Sequence, residues 1–119
     1  MRRLIAAVLR HAGYGVSEAR DGIEVLDQIA SKIWGARPDL FGAIVSDLDM
    51  PGLTGLDVLD ALRCFRWDTP VILVTALGDA ESRTKASALG AFAYLEKPLN
   101  MERLRDTVDR AIGERADLD

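Results

Sequence analysis

The chain is short of several things at once, and each shortage removes a class of protein. It has a single cysteine, Cys64, in 119 residues, so no internal disulfide can form. No apolar run approaches the roughly 20 residues needed to cross a bilayer. Met1-Arg2-Arg3-Leu4 starts basic and then apolar, but Arg10 and His11 break the stretch too early for an export signal. There is no basic excess either. Fifteen Lys and Arg stand against nineteen Asp and Glu, a net charge of -4, which argues against a nucleic-acid-binding surface. Glycine-rich phosphate loops of the GxGxxG or GxxxxGK(S/T) kind are missing, and no Cys–His nucleophile pair stands out, so nucleotide-binding and thiol-enzyme readings lose their support. There is no internal repeat, low-complexity tract or linker. What is present is ordinary for one globular domain, with 49% hydrophobic and 29% charged residues. The expectation is a cytoplasmic, single-domain protein that binds neither membrane nor nucleic acid and is not a conventional enzyme.

Elements of helical and extended character alternate along the chain, which predicts a parallel sheet covered on both faces. Leu4, Ile5, Val8, Leu9 and Ala12 recur at helical spacing and Gly13 offers a C-terminal cap. Val16 to Ala19 reads as a short edge strand. Ile23, Leu26, Ile29, Ala30 and Ile33 form the apolar face of a second helix, and Ala43 to Ser46 an inner strand. Thr54 and Asp57 have the spacing of a capping box and start a third helix. Pro70 precedes an inner strand, Val71 to Val74, and Asp79 caps a helix closed by Gly90. Phe92 to Leu95 is the last strand. Asn100 caps a final helix that buries Leu104, Val108, Ala111 and Ile112 and ends at Gly113, with residues 114–119 frayed.

Three polar residues fall at the ends of these strands. Asp47 follows Ala43-Ile44-Val45-Ser46 and opens Asp47-Leu48-Asp49-Met50-Pro51-Gly52-Leu53-Thr54-Gly55; Thr75 follows Val71-Ile72-Leu73-Val74; Lys97 precedes Pro98. In open α/β folds ligands bind at the carboxyl ends of the strands. A carboxylate, a hydroxyl and an ammonium brought to one rim can handle a phosphoryl group. Each has a plainer reading: Asp47 as a turn former, Thr75 as a β-branched strand residue, Lys97 as a solvated charge. Their register favours the joint one. His11 on a polar helix flank, Trp34 and Trp67 near helix ends, and Cys64 in a helix carry no chemistry in this reading.

This arrangement resembles the receiver domain of two-component response regulators, the family that includes the chemotaxis regulator. Ser46-Asp47-Leu48-Asp49-Met50-Pro51-Gly52, Val74-Thr75-Ala76 and Lys97-Pro98 carry the resemblance, over nearly the whole chain. It implies a flavodoxin-like doubly wound sheet and Asp47 as acceptor of a phosphoryl group from a histidine kinase or phosphotransfer protein. It implies Lys97 as the charge against the phosphoryl oxygens, and Thr75 as a hydroxyl donor that moves towards them. Tyr94 is then the switching aromatic, turning inward as Thr75 moves. The helix from about Ala80, the strand at Phe92 to Leu95 and the helix from Met101 become the surface that partners read. Mg²⁺ is the family's metal, with Asp47 and the backbone carbonyl of Asp49 as the ligands this chain offers.

The chain departs from the family at its front. Receivers begin with an apolar strand ending in two acidic residues, and here the first element is already the first helix. The expectation is therefore a fold truncated at its N-terminus. An interior strand contributes burial on the order of 10 kcal/mol, which rivals the ~5–15 kcal/mol stability of a whole domain. Three explanations follow as hypotheses: a shortened sequence or misplaced start codon, rearrangement of Val16 to Ala19 beside Ala43 to Ser46, or a homodimer or swapped oligomer covering the gap. Without the acidic pair, metal binding is expected to be weak or absent and phosphorylation slow or absent. The alternative function is a degenerate receiver-like interaction or dimerisation module that is never phosphorylated.

Overall fold

The computed structural model describes residues 2–34, 42–48, 52–64, 69–76 and 78–118. In chain order the elements are α1 (Arg2–His11), α2 (Gly22–Trp34), β1 (Ile44–Asp47), α3 (Gly55–Cys64), β2 (Val71–Thr75), α4 (Ala80–Ala88), β3 (Ala93–Glu96) and α5 (Met101–Leu118). The three strands pair in parallel in the order β1-β2-β3. Ile44 to Asp47 lie against Val71 to Val74, and Ile72 to Thr75 against Ala93 to Glu96.

β2 explains the layering. All five of its residues are buried, so both faces need cover, and the apolar run with no polar alternation is the signature of that position. Val71 and Leu73 join Ile29 of α2, Val58, Leu59 and Leu62 of α3, and Ala86 of α4 on one face. Ile72 joins Leu9 of α1, Leu95 of β3, and Leu104, Val108 and Ala111 of α5 on the other. The result is a three-layer, flavodoxin-like sheet with helices on both sides.

Local signals set the helix ends. Asp79 accepts a hydrogen bond from the Ser82 amide at 2.6 Å and starts α4. Asn100 accepts from the Arg103 amide at 3.1 Å and starts α5. Asp57 accepts from the Thr54 amide at 2.8 Å, the half of a capping box that satisfies the residue before α3. Gly13, after α1, has φ +100°, a conformation that costs a residue with a Cβ far more.

Three expectations are corrected. Val16 to Ala19 belongs to no strand, and the sheet of the described residues has three strands rather than four. A strand exists only through its partner, and a cleft separates this segment from β1. α5 continues through Gly113 to Leu118, because one interior glycine costs only about 1 kcal/mol while the backbone hydrogen bonds continue past it. Leu4 and Ile23, assigned to buried faces by periodicity, are 52% and 60% exposed. Each lies in the first turn of its helix, before the apolar face has come round onto the sheet.

Candidate functional site

The sheet brings its three polar strand ends to one rim. Ser46 and Asp47 finish β1, and the Leu48 amide donates to the Val74 carbonyl at 2.8 Å, which carries the ladder one residue past Asp47 and fixes its backbone. Thr75, next after Asp47's register partner Val74, finishes β2 and is 2% exposed. The Lys97 amide donates to the Thr75 carbonyl at 2.8 Å, so the chain leaving β3 is tied to the end of β2.

β1 and β3 flank β2, two strand spacings or about 9.6 Å apart. A cation leaving β3 must therefore cross the end of β2 to meet a carboxylate on β1, which a long unbranched stem can do. Lys97 Nζ lies 2.7 Å from Asp47 Oδ2. Thr75 ends the strand that this side chain crosses, which places its backbone at the same rim. The Lys97 and Asp47 side chains are 21% and 33% exposed, enough for a small donor to arrive and for water to screen the pair in part. Chemically the rim offers an oxygen nucleophile, a compact positive charge within reach of whatever that oxygen binds, and a buried hydroxyl.

Tyr94 sits in register with Leu73 and packs against the α2–α3–α4 cluster with its hydroxyl oxygen shielded from solvent. The Arg83 guanidinium of α4 stands 4.8 Å from the centre of its ring and also binds Glu96 at 2.7 Å. The ring therefore already lies inward. Sequence reading missed Arg83, which looks like any solvated helix cation. Its partners are 11 and 13 residues away, outside helical spacing, and only the docking of α4 beside β3 joins them.

Mg²⁺ takes near-octahedral oxygen coordination, usually with at least one carboxylate and several waters. Among the described residues no group of three or more His, Cys, Asp or Glu side chains could hold a metal. Asp47 is the one predicted ligand in that set, and Asp49 lies outside the described residues. The described donors alone do not make a magnesium site.

A model of the response regulator receiver domain matches residues 1–109. The chain is 35% identical over 113 residues to the transcriptional regulatory protein FixJ of Bradyrhizobium diazoefficiens, covering 94% of this chain and 51% of FixJ. It is 39% identical over 104 residues to the response regulator MprA of Mycobacterium avium, covering 87% of this chain and 42% of MprA. It thus spans about half the length, or less, of these curated relatives. Among solved structures, a receiver domain from Clostridium thermocellum superposes with TM-score 0.86 at 26% identity over 99% of this chain and 90% of that one. The chemotaxis regulator CheY4 of Vibrio cholerae gives 0.78 at 32% identity over 92% and 88%. With the strand ends and the layering in place as well, this chain belongs to the response regulator receiver family of two-component signalling.

Proposed function

We propose that this chain accepts a phosphoryl group on Asp47 from a phosphohistidine of a kinase or phosphotransfer protein, and signals through protein contacts. The observation that carries the reading is the 2.7 Å Lys97–Asp47 pair closing over the end of β2. An Asp47 carboxylate oxygen attacks phosphorus, the N–P bond breaks, and the imidazole nitrogen leaves with its electron pair and takes a proton. An acyl phosphate remains on Asp47. Phosphoryl transfer depends mainly on positioning and charge neutralisation. Lys97 neutralises the carboxylate before the step and transfers its hydrogen bonds to the phosphoryl oxygens after it. Thr75 donates its hydroxyl to one of those oxygens. The shift is read at the edge formed by α4, β3 and α5, where Tyr94 and its Arg83 contact lie.

Receiver domains of this family bind Mg²⁺ in general, work with histidine kinases or phosphotransfer proteins, and are generally signalling modules rather than enzymes. With the Asp47 carboxylate as the ligand the described residues offer, transfer in this chain is slow. A second reading, an interaction module that is never phosphorylated, draws on the same observation. Exposure to a small phosphodonor with Mg²⁺, followed by intact mass of the wild type and Asp47→Asn, separates the two. No helix of the described residues is long and apolar enough to cross a membrane. The homodimer or exchanged oligomer expected from the sequence is tested by light scattering at micromolar concentration, where a clean monomer mass counts against it.

A further inference from the structure

α4 has almost no apolar face with which to dock. Of its nine residues Ala86 is buried and Ser82 half-buried, and the other seven are exposed. α3, by contrast, buries Gly55, Val58, Leu59 and Leu62. Several of α4's polar bonds stay within the helix. Asp79 caps the Ser82 amide, Thr84 donates to the Ala80 carbonyl at 2.8 Å, and Lys85 pairs with Glu81 at 3.3 Å. Two arginines tie the helix to its surroundings.

The first is Arg63, near the end of α3. Its Nε donates to the Leu89 carbonyl at 2.9 Å and its Nη2 to the Gly90 carbonyl at 3.1 Å, both just past α4. Its Nη1 donates to the Thr69 carbonyl at 3.3 Å, ahead of β2. Carbonyls at the end of a helix lack amide partners within it and form the negative end of its dipole, so a forked cation complements them. Leu89 and Ala91 add apolar contact with the cluster around Leu59.

The second is Arg83. Its Nη2 lies 2.7 Å from Glu96 Oε1, with both side chains more than half exposed, and its guanidinium stands 4.8 Å from the centre of the Tyr94 ring. Gly78, in the turn before α4, lies so close to Glu96 that a Cβ there would sit 2.6 Å from Oε1.

The two fastenings differ in kind. Charge facing charge at the surface is screened by salt. The acceptors of Arg63 are neutral carbonyls and two of its three bonds are partly buried, so mobile ions have little to screen. From this contrast we infer that α4 is a hinged flap. Arg63 pins its C-terminal end, and the Arg83–Glu96 pair is a latch whose release frees the N-terminal half alone. A nine-residue helix has little stability of its own in water, so the freed half frays and bares a face of the Tyr94 ring. Glu96 adjoins Lys97, whose ammonium holds Asp47; one dipeptide at the end of β3 thus fastens both the carboxylate and the flap. That the flap opens the edge read by partners rests on the signalling function proposed above. The hinge itself does not.

The test is hydrogen exchange of backbone amides, followed by NMR on the unphosphorylated 119-residue chain. Raising potassium chloride from about 0.05 M to about 1 M, where the Debye length is about 3 Å, should speed exchange at residues 83–85 by about two- to fivefold. Residues 89–91 of the same molecule should hold their rates. Gly78→Ala should reproduce the salt effect at low salt, because the added methyl displaces the flexible Glu96 carboxylate without changing any charge. Arg63→Met should do the reverse, speeding residues 89–91 by about tenfold or more at either salt concentration, with Arg63→Lys recovering only part of the loss. If Arg63→Met misfolds, the salt series and Gly78→Ala still decide. Equal acceleration of both groups of amides, or no response of residues 83–85 to salt or to Gly78→Ala, would overturn the hinge. So would a folded Arg63→Met variant with unchanged rates at 89–91. None of these readouts depends on phosphoryl transfer, so a failed hinge and a failed phosphoacceptor are told apart.

Discussion

Neutralising Asp47 probes the electrostatic character of the rim more sharply than any deletion. In the structure its carboxylate faces an ammonium at 2.7 Å, and the two side chains retain 33% and 21% exposure. Fully exposed pairs contribute ~0.2–1 kcal/mol, and removing one partner of a fully buried pair costs ~3–5 kcal/mol. This pair lies between those limits, nearer the first because Lys97 can turn its ammonium to water. Asp47→Asn should therefore destabilise the chain by about 1 kcal/mol. At an m-value of about 1–1.5 kcal/mol/M, the urea midpoint falls by roughly 0.7–1 M, read by circular dichroism. Lys97→Gln should act in the same direction, and the double variant should lose less than the sum, with a coupling near 1 kcal/mol. The sign decides the matter. A receiver whose acceptor carboxylate sits among other carboxylates gains stability when that charge is removed. An Asn variant that unfolds at higher urea than the wild type would refute the picture of a locally neutral pair.

Leu59→Ala removes a fully buried side chain between α3 and β2 and should cost about 3 kcal/mol, measured by urea denaturation. Tyr14 donates to Asp109, and that hydrogen bond is the first reason its pKa lies above the usual tyrosine value, with burial second. Its raised pKa makes the tie between residue 14 and α5 fully present below the ordinary tyrosine pKa of about 10 and lost as pH rises through the folded value. Thermal scans should show a high-pH loss of stability in the wild type that is smaller in Tyr14→Phe. Arg83→Ala removes both the ring contact and the Glu96 pair, each partly exposed. It should cost at most about 1 kcal/mol, yet shift the Tyr94 ring resonances clearly by NMR, and unchanged shifts would disconnect Arg83 from the aromatic.

Much of this was legible from local chemistry. Val71 to Val74 reads as a doubly covered strand because four consecutive aliphatics leave no face for water, and the structure buries all of them. Asp79 and Asn100 announce helix starts because short polar side chains satisfy first-turn amides. Asp47 and Lys97 were brought together on motif and register alone, and they lie 2.7 Å apart. What escaped depends on neighbours distant in sequence. Val16 to Ala19 has strand-like residues, but whether it is a strand is settled by what lies beside it, and a cleft lies there. The Arg83–Tyr94–Glu96 contact arises from how α4 docks on the sheet, which no spacing rule encodes. The long α5 depended on a glycine whose cost is small beside the helix that continues past it.

The central claim is that Asp47 is the phosphoacceptor. The most direct measurement is intact mass of the wild type and Asp47→Asn after incubation with acetyl phosphate and Mg²⁺, and with a phosphorylated histidine phosphotransfer protein. The account predicts slow gain of one phosphoryl group by the wild type, removed by hydroxylamine as an acyl phosphate should be, and none by the variant. Retention of the label in Asp47→Asn, or no label from either donor over hours, would contradict it.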